Sequence, residues 1–249
     1  MTSPTPQELL AVALKAANIG ADILKTYSRN NLQTTLKGEV NNFVTEADLA
    51  SERAVRDTIR AARPSDAITG EELAADLGTN AKVRWSIDPL DGTVNYTRHL
   101  PFYATSVGAQ DFETGEWVAG VVVAPELNTT WMAHKGGGAF VERDGIRTQL
   151  FGPPKDRASK IMATGFAYTE EIKHQQLIDL VEIMKNFQDL RRDGSAAIDM
   201  CHVAEGKLDA YYEKDIKEHD WAAAALIAEE AGVNVVRPTV AGGLCTVGI

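Results

Sequence analysis

Two carboxylates three positions apart, Asp88 and Asp91, stand in the stretch Val83–Thr97, VRWSIDPLDGTVNYT. Val83, Trp85 and Ile87 alternate along a run that Pro89 and Gly92 punctuate, the pattern of a buried strand running into a turn. From such a turn both carboxylates can share one hard divalent cation, and oxygen ligands are what magnesium takes. Gly92 and Thr93 open a segment that can start a helix, whose free N–H groups suit a phosphate. A cation and a phosphate brought that close meet the needs of phosphoryl chemistry. The plainer reading is that Asp88 and Asp91 only shape the turn, where Asp is common.

Other carboxylates recur at element ends. Ala67–Leu73, AITGEEL, reads as a short strand into a glycine turn carrying Glu71 and Glu72, which are either solvated or ligating. Thr45–Ala62 reads as a helix with Leu49, Val55 and Ile59 buried and an i,i+4 pair, Glu52–Arg56, on the other face. Its start fits a capping box, in which Asp48 reaches back to Thr45. Leu208–Tyr212 reads as a strand ending at Glu213, a surface charge or a substrate contact. Trp221–Ala231, WAAAALIAEEA, predicts a helix that Asp220 caps and that Gly232 stops. A carboxylate there can cap and ligate through different oxygens. The histidines (His99, His134, His174, His202, His219) show no metal-binding spacing and read as ordinary.

The rest of the chain supplies scaffold. Pro6–Ser28 has the apolar spacing of an amphipathic helix, and Leu36–Val44 is a polar connection with turn signals at Lys37-Gly38 and Asn41-Asn42. Strands are expected at Tyr103–Gln110, Glu116–Val123, Thr129–Ala133 and Ala139–Glu142. Gly136–Gly138 is turn punctuation, since neither phosphate-loop spacing is present. Asp144-Gly145 is a hairpin tip. Phe151–Lys160 reads as a linker between halves at 1–150 and 160–249 of a single domain spanning 1–249. Beyond it come a strand at Ile161–Gly165, a helix at Glu170–Asn186 with Leu177, Ile178, Leu180, Val181 and Ile183 as core, and a helix at Ser195–Glu205. Val233–Val236 is the final expected strand. Helices and strands alternating in blocks indicate an α/β layered domain.

With 249 residues, 44% hydrophobic and 24% charged, the chain has ample material for a core. A net charge of −10 argues against nucleic acid or an anionic membrane as partner. It also means that a phosphate ester must be met by local cations. Cys201 and Cys245 lie far apart and read as reduced core thiols, in keeping with a cytoplasmic location. MTSPTPQELL has neither a basic n-region nor an apolar h-region, and the longest apolar run, Val118–Ala124, is too short to span a bilayer.

Taken together, these residues resemble the inositol monophosphatase family, magnesium-dependent and lithium-sensitive phosphatases. The strand signature W-x-I-D-P-[LI]-D-G-T-x-N-[FY] is matched in full by Trp85–Tyr96. The second signature, a W-D dipeptide before an Ala-rich helix and E-A-G-G, is matched loosely by His219-Asp220-Trp221 and Glu230-Ala231-Gly232-Val233. Gly70–Glu72 and Thr45–Asp48 also correspond, and the similarity runs from about Lys37 to about Val236. His219 stands where the family has Trp, and the chain reaches Ile249 where relatives continue through a last strand and helix.

The resemblance implies a layered αβαβα sandwich shared with fructose-1,6-bisphosphatase, usually a homodimer. It implies that Glu71, Asp88 and the Leu90 carbonyl hold a first magnesium, that Asp88, Asp91 and Asp220 hold a second, and that Glu71 helps with a third. The Gly92 and Thr93 amides would bind phosphate, and Gly194, Ser195, Ala196 and Glu213 would face the alcohol. Asp48 would orient the Thr93 hydroxyl, with Thr93 and Glu71 placing the attacking water. A haloacid-dehalogenase mechanism is disfavoured, because D-x-x-D-G-T is one residue longer than D-x-D-x-T. Inositol 1-phosphate is the first expected substrate and histidinol phosphate the main rival, with sulfur-nucleotide bisphosphates and fructose 1,6-bisphosphate behind them. A reading from another class is a non-catalytic, RNA-polymerase-associated regulator.

Overall fold

A computed structural model describes residues 4–28, 34–36, 43–239 and 243–248. The first part of the chain runs α1 (Pro6–Ser28), β1 (Thr34–Leu36), β2 (Phe43–Thr45), α2 (Glu46–Ala62), β3 (Ala67–Gly70), β4 (Val83–Asp91) and α3 (Thr93–Thr97). A meander follows: β5 (Ala104–Asp111), β6 (Trp117–Ala124), β7 (Thr129–His134), β8 (Gly138–Arg143) and β9 (Ile146–Gln149). β3 to β9 form one seven-stranded sheet in sequence order, antiparallel except for the β3–β4 pair. Asp144 and Gly145, both at positive φ, turn the β8–β9 hairpin as expected.

The later part contains β10 (Ile161–Thr164), α4 (Glu170–Ile183), β11 (Asp189–Arg191), α5 (Ala196–Ala204), β12 (Ala210–Lys214), α6 (Glu218–Glu230), β13 (Val235–Val236) and β14 (Leu244–Val247). Its five strands lie in the order β11-β10-β12-β14-β13. β10 is parallel to both neighbours, while β14 is antiparallel to β12 and β13.

Apolar faces dictate the layers. Leu9, Ala13 and Ala16 of α1 and Val55 and Ile59 of α2 pack on Ile68, Trp85, Val107 and Val121 of the first sheet. α5 and α6 fill the space between the sheets, where Ala197, Ile198 and Met200 meet Ala222, Leu226 and Trp131. α6 is buried without interruption from Trp221 to Ala228, because sheet covers it on two sides and its alanines permit close approach. α4 covers the outer face of the second sheet through Leu180, against Met162, Ala210 and Tyr212. The order is therefore αβαβα, the expected sandwich. Cys201 and Cys245 are buried free thiols, and among the described residues no helix is long and apolar enough to cross a membrane.

Several local expectations need correction. Leu177, Ile178 and Val181 are not core: they are 49%, 49% and 67% exposed. α4 instead turns Gln176 and Leu180 inward, and Gln176 uses its amide on the preceding connection, accepting from Ala167 N and donating to Gly165 O. Asp220 is not the cap of α6. The helix starts at Glu218, and the Asp220 carboxylate reaches back to accept from Lys217 N at 2.7 Å. Glu52 does pair with Arg56, yet its side chain is fully buried and does not face solvent. The expected last strand shrinks to β13 at the edge, and β14, too short to show a pattern of its own, lies between it and β12. The turn signals at Lys37-Gly38 and Asn41-Asn42 lie outside the described residues, as does the Thr45 side chain of the expected capping box.

Candidate active site

Residues three apart on a regular strand point to opposite faces. Asp88 and Asp91 nevertheless meet, and the reason is a bulge. Asp88 pairs with Ser106 and Asp91 with Ala104, so β4 advances three residues while β5 advances two. Pro89, which has no N–H to give the ladder, sits in the gap, and its carbonyl accepts from Ser51 Oγ and Thr105 Oγ1. The extra residue turns both carboxylates to one side. The expected turn after Asp88 is thus a bulged strand that runs on through Asp91.

Gly92 follows at φ 92°, a left-handed conformation that suits glycine and lets α3 start at once. Thr93, the first residue of α3, directs its one Oγ1 hydrogen at Leu90 O (3.1 Å) and Asp48 Oδ1 (3.4 Å), the nearer being Leu90 O. Asp48 itself is fully buried on α2. Glu71 comes from the turn after β3, and a residue not read from the sequence as structural holds that turn. Glu52 accepts from Glu72 N at 2.7 Å and Leu73 N at 3.3 Å while paired to Arg56 at 2.7 Å. A buried carboxylate with three donors is a strong anchor.

The second sheet closes the site from the other side. The head of α5 grips Asp91: Ser195 Oγ donates at 2.5 Å, Ala197 N at 2.8 Å and Ala196 N at 3.3 Å. Ser195 Oγ also accepts from Ile198 N, so the polar groups of Ser195 and Ala196 turn to Asp91, and Gly194 lines the cavity beside them. Asn95 of α3 ties the halves together, donating to Phe102 O and Asp193 O. Glu213, at the end of β12, accepts from Tyr211 Oη. It also lies against Gly165, where any Cβ would collide with the Glu213 carboxylate.

These elements enclose a cavity of about 470 Å³ between the two sheets. It is lined by Glu71, Asp88, Leu90, Asp91, Gly92 and Thr93 on one side and by Gly194, Ser195, Ala196, Glu213, His219 and Asp220 on the other. Asp48 stands behind Thr93 and does not line it. Carboxylate oxygens of Asp88, Asp91 and Asp220 lie within 4.8 Å of one another. A second group, Glu71, Asp88 and His219, meets the same limit and shares Asp88 with the first. His219, read from the sequence as ordinary, therefore lines the candidate site; its signals were its neighbour Asp220 and its place where the family has Trp. Tyr168, Arg192 and Lys217 also line the cavity and carried no signal of their own.

Electrostatics describe a site short of positive charge. Burial, then the charges of Glu71, Asp91 and Asp220, push the Asp88 carboxyl well above the usual range. Burial and Asp220 push Asp91 up to about 7, against the pull of Ser195, Ala197 and Ala196. Asp220 is raised by burial, with His219 opposing, and Asp88 lies close enough to share a hydrogen bond with it. Burial raises Glu213 to about 8, with Tyr211 opposing. Clustered buried carboxylates of this kind fit divalent cations, whose charge would offset the repulsion.

The model of the inositol monophosphatase family matches residues 5–246. The chain belongs to the inositol monophosphatase family. Membership makes it an enzyme of the phosphatase class. An inositol-1-monophosphatase from Mycobacterium bovis is 40% identical over 212 residues, covering 83% of this chain and 72% of that protein. A Nus factor SuhB from Pasteurella multocida is 36% identical over 227 residues, covering 90% and 83%. Among solved structures, SuhB of Mycobacterium tuberculosis superimposes with a TM-score of 0.81 at 34% identity, over 98% of this chain and 91% of that one. The extragenic suppressor protein suhB from Bartonella henselae gives 0.86 at 29%, over 96% and 93%.

Proposed function

We propose that this inositol monophosphatase family member is a Mg2+-dependent phosphomonoesterase that hydrolyses myo-inositol 1-phosphate or a close polyol phosphate to the alcohol and phosphate. The observation that carries the reading is the meeting of the buried Asp88 and Asp91 with the half-buried Asp220 in one cluster, with Glu213 lining the same cavity. In this reading Asp88, Asp91 and Asp220 would hold one cation, and Glu71, Asp88 and the Leu90 carbonyl would hold another, with Glu71 able to serve a third. Bound cations neutralise phosphate oxygens and make a water more acidic.

The chain's own groups do the positioning. The Gly92 and Thr93 amides orient the phosphate at the head of α3. Asp48 and Leu90 O fix the Thr93 hydroxyl, which together with Glu71 aligns the attacking water. Ser195 and the α5 amides hold Asp91 in register. With cations offsetting the charges of Asp91 and Asp220, Glu213 would ionise, repel phosphate and accept hydrogen bonds from ring hydroxyls, so it reads the alcohol. Attack is direct, with inversion at phosphorus and no aspartyl intermediate.

The deciding experiment is phosphate release from inositol 1-phosphate, histidinol phosphate, fructose 1,6-bisphosphate and an aryl phosphate, with and without Mg2+. Inositol 1-phosphate is expected to be hydrolysed fastest, only with the metal, and with inhibition by lithium. Metal-independent turnover overturns the mechanism, and a clear preference for histidinol phosphate moves the substrate to that amine. A homodimer is the proposed assembly, read by light scattering. The likeness to a relative named Nus factor SuhB favours a second role as a transcription-associated regulator, in addition to catalysis. Co-elution with purified RNA polymerase tests it.

A further inference from the structure

The proposed first cation position has a donor that magnesium chemistry does not call for. Glu71 and Asp88 each bring a carboxylate oxygen there, and His219 brings a ring nitrogen within 4.8 Å of both. His219 is the second residue of α6, half-buried, and it lines the cavity. Its backbone is fixed by the turn that holds Asp220: Lys217 N donates to Asp220 Oδ2 at 2.7 Å, and Asp220 N donates to Lys217 O at 3.2 Å. The ring Nε2 lies 3.7 Å from Asp220 Oδ1, too long for a hydrogen bond, on the side of the acidic cluster.

We propose that His219 is a nitrogen ligand of the cation held by Glu71 and Asp88, and that it biases this position toward manganese(II) and cobalt(II) over magnesium. The inference rests on the metal-dependent reading above and deepens it. Magnesium takes oxygen in near-ideal octahedral geometry and binds nitrogen reluctantly. Imidazole adds affinity for first-row transition ions in the order manganese, iron, cobalt, nickel. One imidazole beside two carboxylates therefore separates the two kinds of metal where oxygen ligands alone separate them less. The position formed by Asp88, Asp91 and Asp220 has oxygen donors only, so the pair of positions would be unequal, one mixed and one hard.

The test uses the full chain with the metals themselves as probes. Mn2+ is bound to protein labelled with 15N-histidine, and electron-spin-echo spectroscopy reads nitrogen coupling to the ion. Titration calorimetry then gives Kd for Mn2+, Co2+ and Mg2+ in wild type, His219→Gln and His202→Gln, the last because His202 lies in a separate group with Asp193 and Asp199. The expected result is histidine coupling in wild type that His202→Gln keeps and His219→Gln loses. The Kd ratio of Mg2+ to Co2+ is expected to fall about tenfold in His219→Gln, mostly through Co2+, the size typical of losing one supporting group at a metal site. Metal binding without histidine coupling, or coupling that disappears with His202, overturns the inference and leaves the phosphatase reading standing. No binding of any of the three ions overturns both. The wild-type coupling needs no variant, so a misfolded substitution does not blunt the test.

Discussion

The two sides of the cavity are built by different means. On the seven-stranded side, Asp88 and Asp91 lie on β4, an interior strand beside the edge strand β3, 1% and 8% exposed, and Glu71 is anchored through the turn that Glu52 holds. On the five-stranded side, Glu213, His219 and Asp220 sit at a strand end and a helix start, all partly exposed. The first side is held by a bulged ladder and a buried helix. The second depends on Lys217 N donating to the Asp220 carboxylate and on the head of α5 reaching across to Asp91. A charged wall facing a more open one suits the proposed reaction, which would fix a cation and phosphate while admitting an alcohol.

The comparison breaks most sharply at Asp88, which belongs to both candidate cation groups. Asp88→Asn is expected to lower kcat/KM about a thousandfold, the several kcal/mol that a correctly held cation supplies, with the folded spectrum retained. Near-normal turnover of folded protein removes the charged wall from catalysis. Ser195→Ala tests the bond between the two sides. Losing a hydrogen bond that orients a ligating carboxylate is expected to weaken cation binding roughly 10–100-fold, read by titration calorimetry. Unchanged affinity means that Asp91 is held by its own strand and the two sides act independently.

Glu213→Gln tests the open wall. Losing charge-assisted hydrogen bonds should weaken kcat/KM for inositol 1-phosphate roughly tenfold or more, with little change for an aryl phosphate lacking those hydroxyls. For histidinol phosphate the loss should be steeper at low salt, because an amine would pair with the charge. Equal losses on all three esters assign Glu213 to support instead of recognition.

Two smaller effects probe the packing behind the walls. His202 of α5 stacks edge-on to Trp131, and burial, with Lys207, lowers its pKa to about 4. Since the unfolded value is near 6.5, the unfolded chain binds the extra proton between those limits. The contribution to stability is thus fully present above pH 6.5 and is lost as pH falls toward 4. Discounted for the partly exposed ring, it amounts to about 1 kcal/mol. Denaturant midpoints of wild type and His202→Gln are expected to diverge across that window, and parallel pH profiles contradict it. Least affected is α4, whose exposed Val181 should tolerate serine within about 0.5 kcal/mol by the same measurement.

Much of this was legible in the chain. The apolar period of Pro6–Ser28 reports burial on one face, and the near-continuous apolar run Trp117–Ala124 reports burial on both, each a local property of spacing. α4 shows the limit of that rule. Its richest apolar stripe, Leu177, Ile178 and Val181, faces away from the sheet, because Gln176 is needed inward to satisfy Ala167 N and Gly165 O. Glu52 was misplaced for the same reason: spacing shows a pair with Arg56, but not the Glu72 and Leu73 amides that bury it.

The amino-acid sequence by itself determined the carboxylates of D-x-x-D-G-T, the helices and strands that frame them, and family membership, since all of these are written in neighbouring residues. Tertiary structure alone decided that Asp88 and Asp91 face one way, which needs the register of β5 against β4. It alone brought His219 to Glu71 and Asp88, and Ser195 to Asp91, across more than a hundred positions of chain. It also placed β14 inside the second sheet. Each of these is a contact between segments whose separation along the chain carries no local pattern, so only the packing of two sheets around α5 and α6 makes it visible.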